Sequence, residues 1–235
     1  KVTGTGAGGD EWFMKDAAIG TVLTILLFFA VGFFLYSHTF NSPFVFDDEF
    51  RILENYDIRL NNLTLDGLLK SAFGKRSGST RPIGAISFAL NYYFHQYEIA
   101  GYHIINIIIH IITGILLWLI LKKTLSLESI RPEFEHHEWI ALFAALLWLV
   151  NPVQTQSVTY VIQRYNSMAA MFFLLSFLFY LNGRLPAKKG NRWTWFTGAG
   201  LAWLLALGCK ENTLTLPIFI FLYEWYFFQD LSKKW

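Results

Sequence analysis

The chain has 235 residues, of which 54% are hydrophobic, 18% aromatic and 15% charged, and its mean hydropathy is +0.37. These values exclude an ordinary soluble domain and place the chain among polytopic membrane proteins. A net charge of +2 gives no basis for nucleic-acid binding, and the single cysteine, Cys209, excludes an internal disulfide.

Residues 1–16, opening on a glycine- and threonine-rich stretch, read as a flexible cytoplasmic leader. Residues 17–36 supply the roughly twenty apolar positions that cross a bilayer. They are too long for a signal-peptide core and lack a small-residue cleavage site. A long loop, 37–98, follows. It begins with Phe44-Val45-Phe46-Asp47-Asp48-Glu49-Phe50, which sets three consecutive carboxylates among aromatics at a membrane boundary. Such grouping is costly unless the acids bind something or act as acid or base. One reading is a general base with a second carboxylate to orient it or hold a cation; the other is a solvated loop balanced by Arg51, Arg59 and Arg81. Further on, Leu65, Leu68, Leu69, Ala72 and Phe73 recur at helical spacing behind a candidate cap, Thr64. The spacing predicts a short amphipathic helix in the membrane interface. A flexible Gly74–Thr80 segment, Arg81-Pro82 and a second apolar stretch complete the loop.

The second span, 99–121, carries His103, Asn106, His110 and Thr113 on one stripe. Polar groups inside a bilayer face the bundle interior or a cavity. Interhelical hydrogen bonding fits the deeper His110 and Thr113, whereas His103 lies near the surface and is a candidate substrate contact. The third span, 138–150, stops at Asn151-Pro152, where proline breaks the helix. The fourth, 165–182, opens at Gln163-Arg164. Arg164 with Asn166 and Ser167 at a helix start suits a phosphate, or Arg164 snorkels to headgroups. Spans five and six, 193–208 and 214–228, flank Lys210-Glu211, neighbours that point at different partners on a helix. Lys210 is a second phosphate candidate, and Glu224 reads as a structural hydrogen-bond partner or an interfacial residue near the cytoplasmic side. The fold class is therefore all-α and polytopic, with about six spans, the third and fifth short.

Lysine and arginine in the short loops, including Arg131, Arg184, Lys188, Lys189 and Arg192, share one side with the tail 231–235 if the N-terminus is cytoplasmic. The 37–98 loop, the 151–164 segment and the 209–213 turn then share the opposite face. No GxGxxG, Walker loop or zinc-type Cys/His spacing is present in the sequence.

The runs FVFDDEFRILEN (44–55), STRP (79–82), YHIINIIIH (102–110), NPVQTQSVTYVIQR (151–164), Lys210-Glu211-Asn212 and Leu216-Pro217 occur in an order that resembles the membrane part of the tetratricopeptide-repeat-associated protein O-mannosyltransferase-like proteins. These belong to the C superfamily of glycosyltransferases. The resemblance covers residues 17–230 and implies the N-terminal half of that fold. It implies transfer of mannose or another hexose from a polyprenyl-phosphate donor to a protein serine or threonine hydroxyl. Asp47 would be the base and Asp48 its catalytic partner, with Glu49, Arg81, His103, Arg164, Lys210 and Glu211 around the substrates. A divalent cation, Mg²⁺ or Mn²⁺, is left open. Relatives often carry His and Glu where this chain has Asn151 and Gln156, and they continue through further spans and a repeat domain. The implied setting is a bacterial inner membrane with the acidic loop in the periplasm. A non-catalytic membrane subunit that anchors a larger complex is the alternative, and either would contact the bilayer and other membrane subunits.

Overall fold

The computed structural model describes residues 8–76, 80–130, 132, 134, 136–185 and 191–229, with side chains from residue 19 onward. Residues 1–7, part of the basic loop (Lys188, Lys189), Ser79, Arg131 and the tail 231–235 lie outside the described residues. Among the described residues the regular structure is helical: α1 (Gly8–Tyr36), α2 (Leu65–Phe73), α3 (Pro82–His95), α4 (Ile99–Leu125), α5 (His137–Leu149), α6 (Thr155–Thr159), α7 (Arg164–Arg184), α8 (Arg192–Leu207) and α9 (Leu216–Phe227).

By length and composition three segments can cross a membrane: 19–39, 99–125 and 161–184. A fourth is available if α5 and residues 152–159, bent by 48° at Asn151-Pro152, count as one broken span. At about 1.5 Å per residue, α8 with 16 residues and α9 with 12 fall short of a full crossing. The chain is an all-α polytopic integral membrane protein, and the sequence-based count of six exceeds what the described helices supply.

α4 is the central helix. It packs on α1, α5 and α7, and 56% of its most apolar window is buried, against 17% for α1. One apolar cluster joins α1, α4 and α5 through Phe28, Ile107, Ile111, Trp118 and Leu149. A second joins α4, α7 and α9 through Leu116, Phe177, Leu181 and Tyr223. Between α7 and α8 the Ser176 hydroxyl donates to the Ala199 carbonyl at 2.7 Å, as small polar residues do where membrane helices approach closely. Glu224 of α9 accepts from Tyr180 and, at 2.8 Å, from Arg184 Nε of α7, the structural role its sequence position suggested.

The 37–98 loop is folded. Ile52, Ile58 and Leu60 pack against Phe88 and Ala89 of α3, Tyr102 of α4 and Val161 and Ile162 at the start of α7. The predicted amphipathic helix is α2, and Thr64 caps it by accepting from the Gly67 N–H at 3.1 Å. Its Leu65, Leu69 and Phe73 lie on the outside. Proline at its first turn starts α3, and the Ile83 N–H donates to the Gly208 carbonyl at 2.9 Å. A Cβ on Gly208 would lie 2.4 Å from Ile83 Cγ1, so the approach of α3 to the end of α8 requires glycine there. This contact brings the 209–213 turn beside the long loop.

Candidate functional site

The sequence implied that three separated segments share one face, and direct contacts join them. The backbone N–H of Asp47 donates to the Tyr160 hydroxyl at 2.9 Å. Asp48 Oδ1 accepts from the Ile162 N–H at 2.7 Å, and Oδ2 from the Val45 N–H at 3.1 Å. Arg81 Nη2 meets Glu211 Oε1 at 3.3 Å, and Lys210 Nζ donates to Asn166 Oδ1. The 44–50 segment, the 158–166 turn and the 209–213 turn thus close on one another.

A polar cavity of about 270 Å³ lies at their junction, lined by Asp47, Arg51, Thr80, Arg81, Ile162, Gln163, Tyr165, Asn166 and Lys210. One carboxylate therefore shares a small space with three cations, Arg51, Arg81 and Lys210. Arg81 Nε is buried and has no hydrogen-bond partner among the described residues. A buried donor without a partner is costly, and it belongs to a residue that lines the cavity.

The two aspartates differ sharply. Asp47 is exposed and borders the cavity, whereas Asp48 is 0% exposed and spends both carboxylate oxygens on peptide N–H groups. Burial pushes the Asp48 carboxyl above its ordinary range, against the two N–H bonds and the nearby His103, which pull the other way. Asp48 is the clasp between the acidic loop and the start of α7, and Asp47 is the carboxylate that can meet a ligand. The segment runs on into a π-helical turn, Glu49–Leu53, a geometry that recurs at functional sites. Phe46 just before the pair has φ 49°, an uncommon conformation for a bulky residue.

Several sequence-nominated residues are placed elsewhere. Arg164 is wholly buried. Its Nε donates to Asn106 Oδ1 at 2.7 Å, and its Nη2 donates to Asn91 Oδ1 at 2.7 Å and to the Tyr102 carbonyl at 3.0 Å. The guanidinium lies over Phe88 at 4.4 Å. It neither borders the cavity nor snorkels. It ties α3, α4 and α7 together, because amide oxygens and ring faces are what reach it. His103 is 1% exposed, with Nε2 at 2.9 Å from the Ser42 carbonyl. A carbonyl only accepts, so Nε2 carries the proton, and His103 holds the loop rather than a substrate. Asn106 Nδ2 donates to the Val158 and Val161 carbonyls, and His110 Nε2 to the Leu149 carbonyl at 2.9 Å; the stripe on α4 anchors the broken backbone after α5. Glu49 is exposed and Glu211 engages Arg81; neither lines the cavity. Lys210 and Glu211 do face different partners, Asn166 and Arg81, with Lys210 in extended backbone rather than on a helix.

Arg51, Gln163, Tyr165 and Asn166 line the cavity without having been nominated together. Helical geometry held the signal: if Arg164 points into the protein, Tyr165 and Asn166 turn toward the flank, and Arg51 lies one turn beyond Asp47. Both Asp48 oxygens are taken by N–H donors, and among the described residues no group of three His, Cys, Asp or Glu side chains converges.

Fold and site define a polytopic α-helical membrane protein with an acidic residue facing a cation-lined cavity on one face. Proteins similar to it in sequence are sugar transferases by name. The chain is 30% identical over 203 residues to the human protein O-mannosyl-transferase TMTC4, covering 80% of this chain and 27% of that one. It is 30% identical over 220 residues to protein O-mannosyl-transferase tmtc2 of Xenopus laevis, covering 89% and 25%. It is 30% identical over 193 residues to protein O-mannosyl-transferase Tmtc1 of Drosophila melanogaster, covering 79% and 21%. The resemblance read from the ordered motifs is borne out, and the chain is O-mannosyl-transferase-like along about four fifths of its length. It spans about a quarter of the length of these curated relatives. No family model matches the chain, and no solved structure matches it.

Proposed function

We propose that these residues form part of a membrane glycosyltransferase that moves mannose or another hexose from a polyprenyl-phosphate donor to a serine or threonine hydroxyl of a protein. The observation that carries the reading is the cavity itself, where one exposed carboxylate, Asp47, faces Arg51, Arg81 and Lys210. Asp47 takes the proton of the acceptor hydroxyl. The acceptor oxygen bonds to the anomeric carbon as the bond from that carbon to the phosphate oxygen breaks. Arg81 and Lys210 stabilise the charge that gathers on the leaving phosphate. Arg51 adds a third positive charge, and Asp48 holds the acidic loop in place. The names of the relatives support sugar transfer and a protein acceptor. The cation-rich lining supports an anionic donor. We assign the acidic loop to the periplasmic or lumenal side, with the N-terminus cytoplasmic and a bacterial inner membrane as the setting. That assignment rests on the lysine and arginine distribution.

The test is transfer of radiolabelled sugar from polyprenyl phosphate in membranes containing the intact protein. Asp47→Asn is expected to abolish labelling at matched expression, and Arg81→Ala to lower it strongly. Wild-type membranes that label nothing above background, or an Asp47→Asn variant as active as wild type, would overturn the reading in favour of a non-catalytic subunit.

A further inference from the structure

At the end of α4 remote from Tyr102 and Asn106, a separate space opens between helices. It is a groove of about 550 Å³ with Thr24 and Leu27 of α1, Trp118 of α4, and Trp139 and Leu142 of α5 on its walls. Lys122 and Glu138 also line it, and both border an adjoining cavity of about 340 Å³ to which Lys123 and His137 contribute. Two lysines of the last turn of α4 therefore close one end of an aromatic and aliphatic groove. They are not equivalent. Lys122 Nζ meets Glu138 Oε1 at 2.8 Å and lies 5.8 Å from the centre of the Trp118 ring. Lys123 is half-buried, and among the described residues no carboxylate pairs with it.

A lysine at the end of a span ordinarily extends its ammonium into water. Lys123 instead borders a cavity without a counter-charge, and a half-buried cation of this kind favours an anion beside it. The two lysines and one glutamate leave the lining one net positive charge. Leu23, Leu27 and Trp139 are exposed on helices of a membrane protein, so the groove opens to the bilayer, and indoles at the end of a span sit at headgroup level. We infer that the groove holds one glycerophospholipid of net charge minus one, of the phosphatidylglycerol class. Its phosphate lies on Lys123, and one acyl chain runs between α1 and α5 past Leu27 and Leu142. Basic pockets between membrane helices select anionic headgroups in this way, whereas a zwitterionic lipid would bring its own ammonium up to the lysines. Glu138 competes with the phosphate for Lys122, so this carboxylate limits the affinity. The inference is independent of the transferase reading, because the groove and the polar cavity have no lining residue in common.

Native mass spectrometry of the intact protein, delipidated in detergent and titrated with one probe at a time, counts bound lipids and gives their affinities. The probes are palmitoyl-oleoyl phosphatidylglycerol, the phosphatidylethanolamine and phosphatidylcholine with the same chains, and glycerol phosphate. Phosphatidylglycerol is expected to bind about fivefold tighter than either zwitterionic lipid, the worth of one lysine facing an anionic headgroup, and glycerol phosphate far more weakly than any of them. Lys123→Gln should erase that preference. Glu138 is exposed, and Glu138→Gln should tighten phosphatidylglycerol by about threefold as Lys122 is released; lysines that only cap α4 and hold α5 would give no such gain. A Cβ on Gly20, which lines the groove, would meet nothing within 4 Å. Gly20→Leu should therefore fill the space without displacing neighbours, weakening all three phospholipids while the melting temperature holds. Equal affinity for the three phospholipids, glycerol phosphate binding as tightly as phosphatidylglycerol, or a second copy of the chain in place of bound lipid would each overturn the inference. So would a Lys123→Gln variant that keeps the preference; if that variant fails to fold, an unchanged affinity in Glu138→Gln overturns it instead.

Discussion

Replacing Asp48 with asparagine, beside the same change at Asp47, separates two carboxylates that the sequence presents as equals. Asp48 accepts two backbone N–H groups at 2.7 and 3.1 Å and is 0% exposed. An asparagine offers one oxygen, so one buried N–H loses its partner, at a cost of about 1–3 kcal/mol. Removing a buried charge works the other way, which puts the expected loss near the lower end of that range. For a chain of this size about 1 kcal/mol corresponds to roughly 2–4 °C in Tm, so Asp48→Asn should melt about 2–6 °C below wild type. Asp48→Ala orphans both N–H groups and should lose about 2–6 kcal/mol. Asp47 is exposed, and its side chain carries none of this clasp, so Asp47→Asn should stay within about 0.5 kcal/mol of wild type while losing transfer.

The same pair carries a pH signature. The Asp48 carboxyl is raised by burial, so the folded protein binds the proton more tightly than the unfolded chain. Its contribution to stability is thus fully present below the ordinary carboxylate value, about 3.9, and is lost as pH rises from there through the raised value. Wild type should lose some stability across that window, and Asp48→Asn should lack that part of the slope. Thermal melts of the detergent-purified protein by tryptophan fluorescence, across pH, measure all of this. An Asp48→Asn variant that melts with wild type at every pH, or an Asp47→Asn variant that melts lower than Asp48→Asn, would refute the division of roles.

Arg164→Ala strands the amide oxygens of Asn91 and Asn106 and empties a packed site over Phe88; it should cost about 3–5 kcal/mol, seen as aggregation on size exclusion after extraction. Arg164→Lys keeps the charge but cannot span the same acceptors, and its melting temperature should fall between those of alanine and wild type. Gly84→Ala would place a Cβ 2.1 Å from Tyr165 Cδ1; pushing that ring, which lines the cavity, should cost about 1–3 kcal/mol and lower transfer, measured by melting and by the labelling assay. Tyr160→Phe removes the hydroxyl that receives the Asp47 N–H, and a misplaced base should lower kcat about ten- to a hundredfold with little change in Tm.

Composition and periodicity determined much of this molecule. A hydropathy of +0.37 and apolar runs of bilayer length required membrane helices. The 65–73 periodicity and Thr64 determined α2 and its start, because a capping hydroxyl and a helical stripe are local properties. The Asn151-Pro152 break followed from the N–H that proline lacks. Ordered motifs pointed to the O-mannosyl-transferase-like relatives.

Burial and partner choice were decided by the tertiary structure. Asp47 and Asp48 are chemically identical in the sequence, but the peptide N–H of Ile162, 114 residues away, claims Asp48 and leaves Asp47 to the cavity. Arg164 and Lys210 are both cations at the end of a span. One finds two asparagine oxygens and two rings and goes inward; the other finds a single amide beside the cavity. A sequence fixes which groups a side chain can bond with. Only the packing of α3, α4 and α7 and the turns between them determines which of those groups come within 3 Å, because contacts across such separations are set by how the helices assemble.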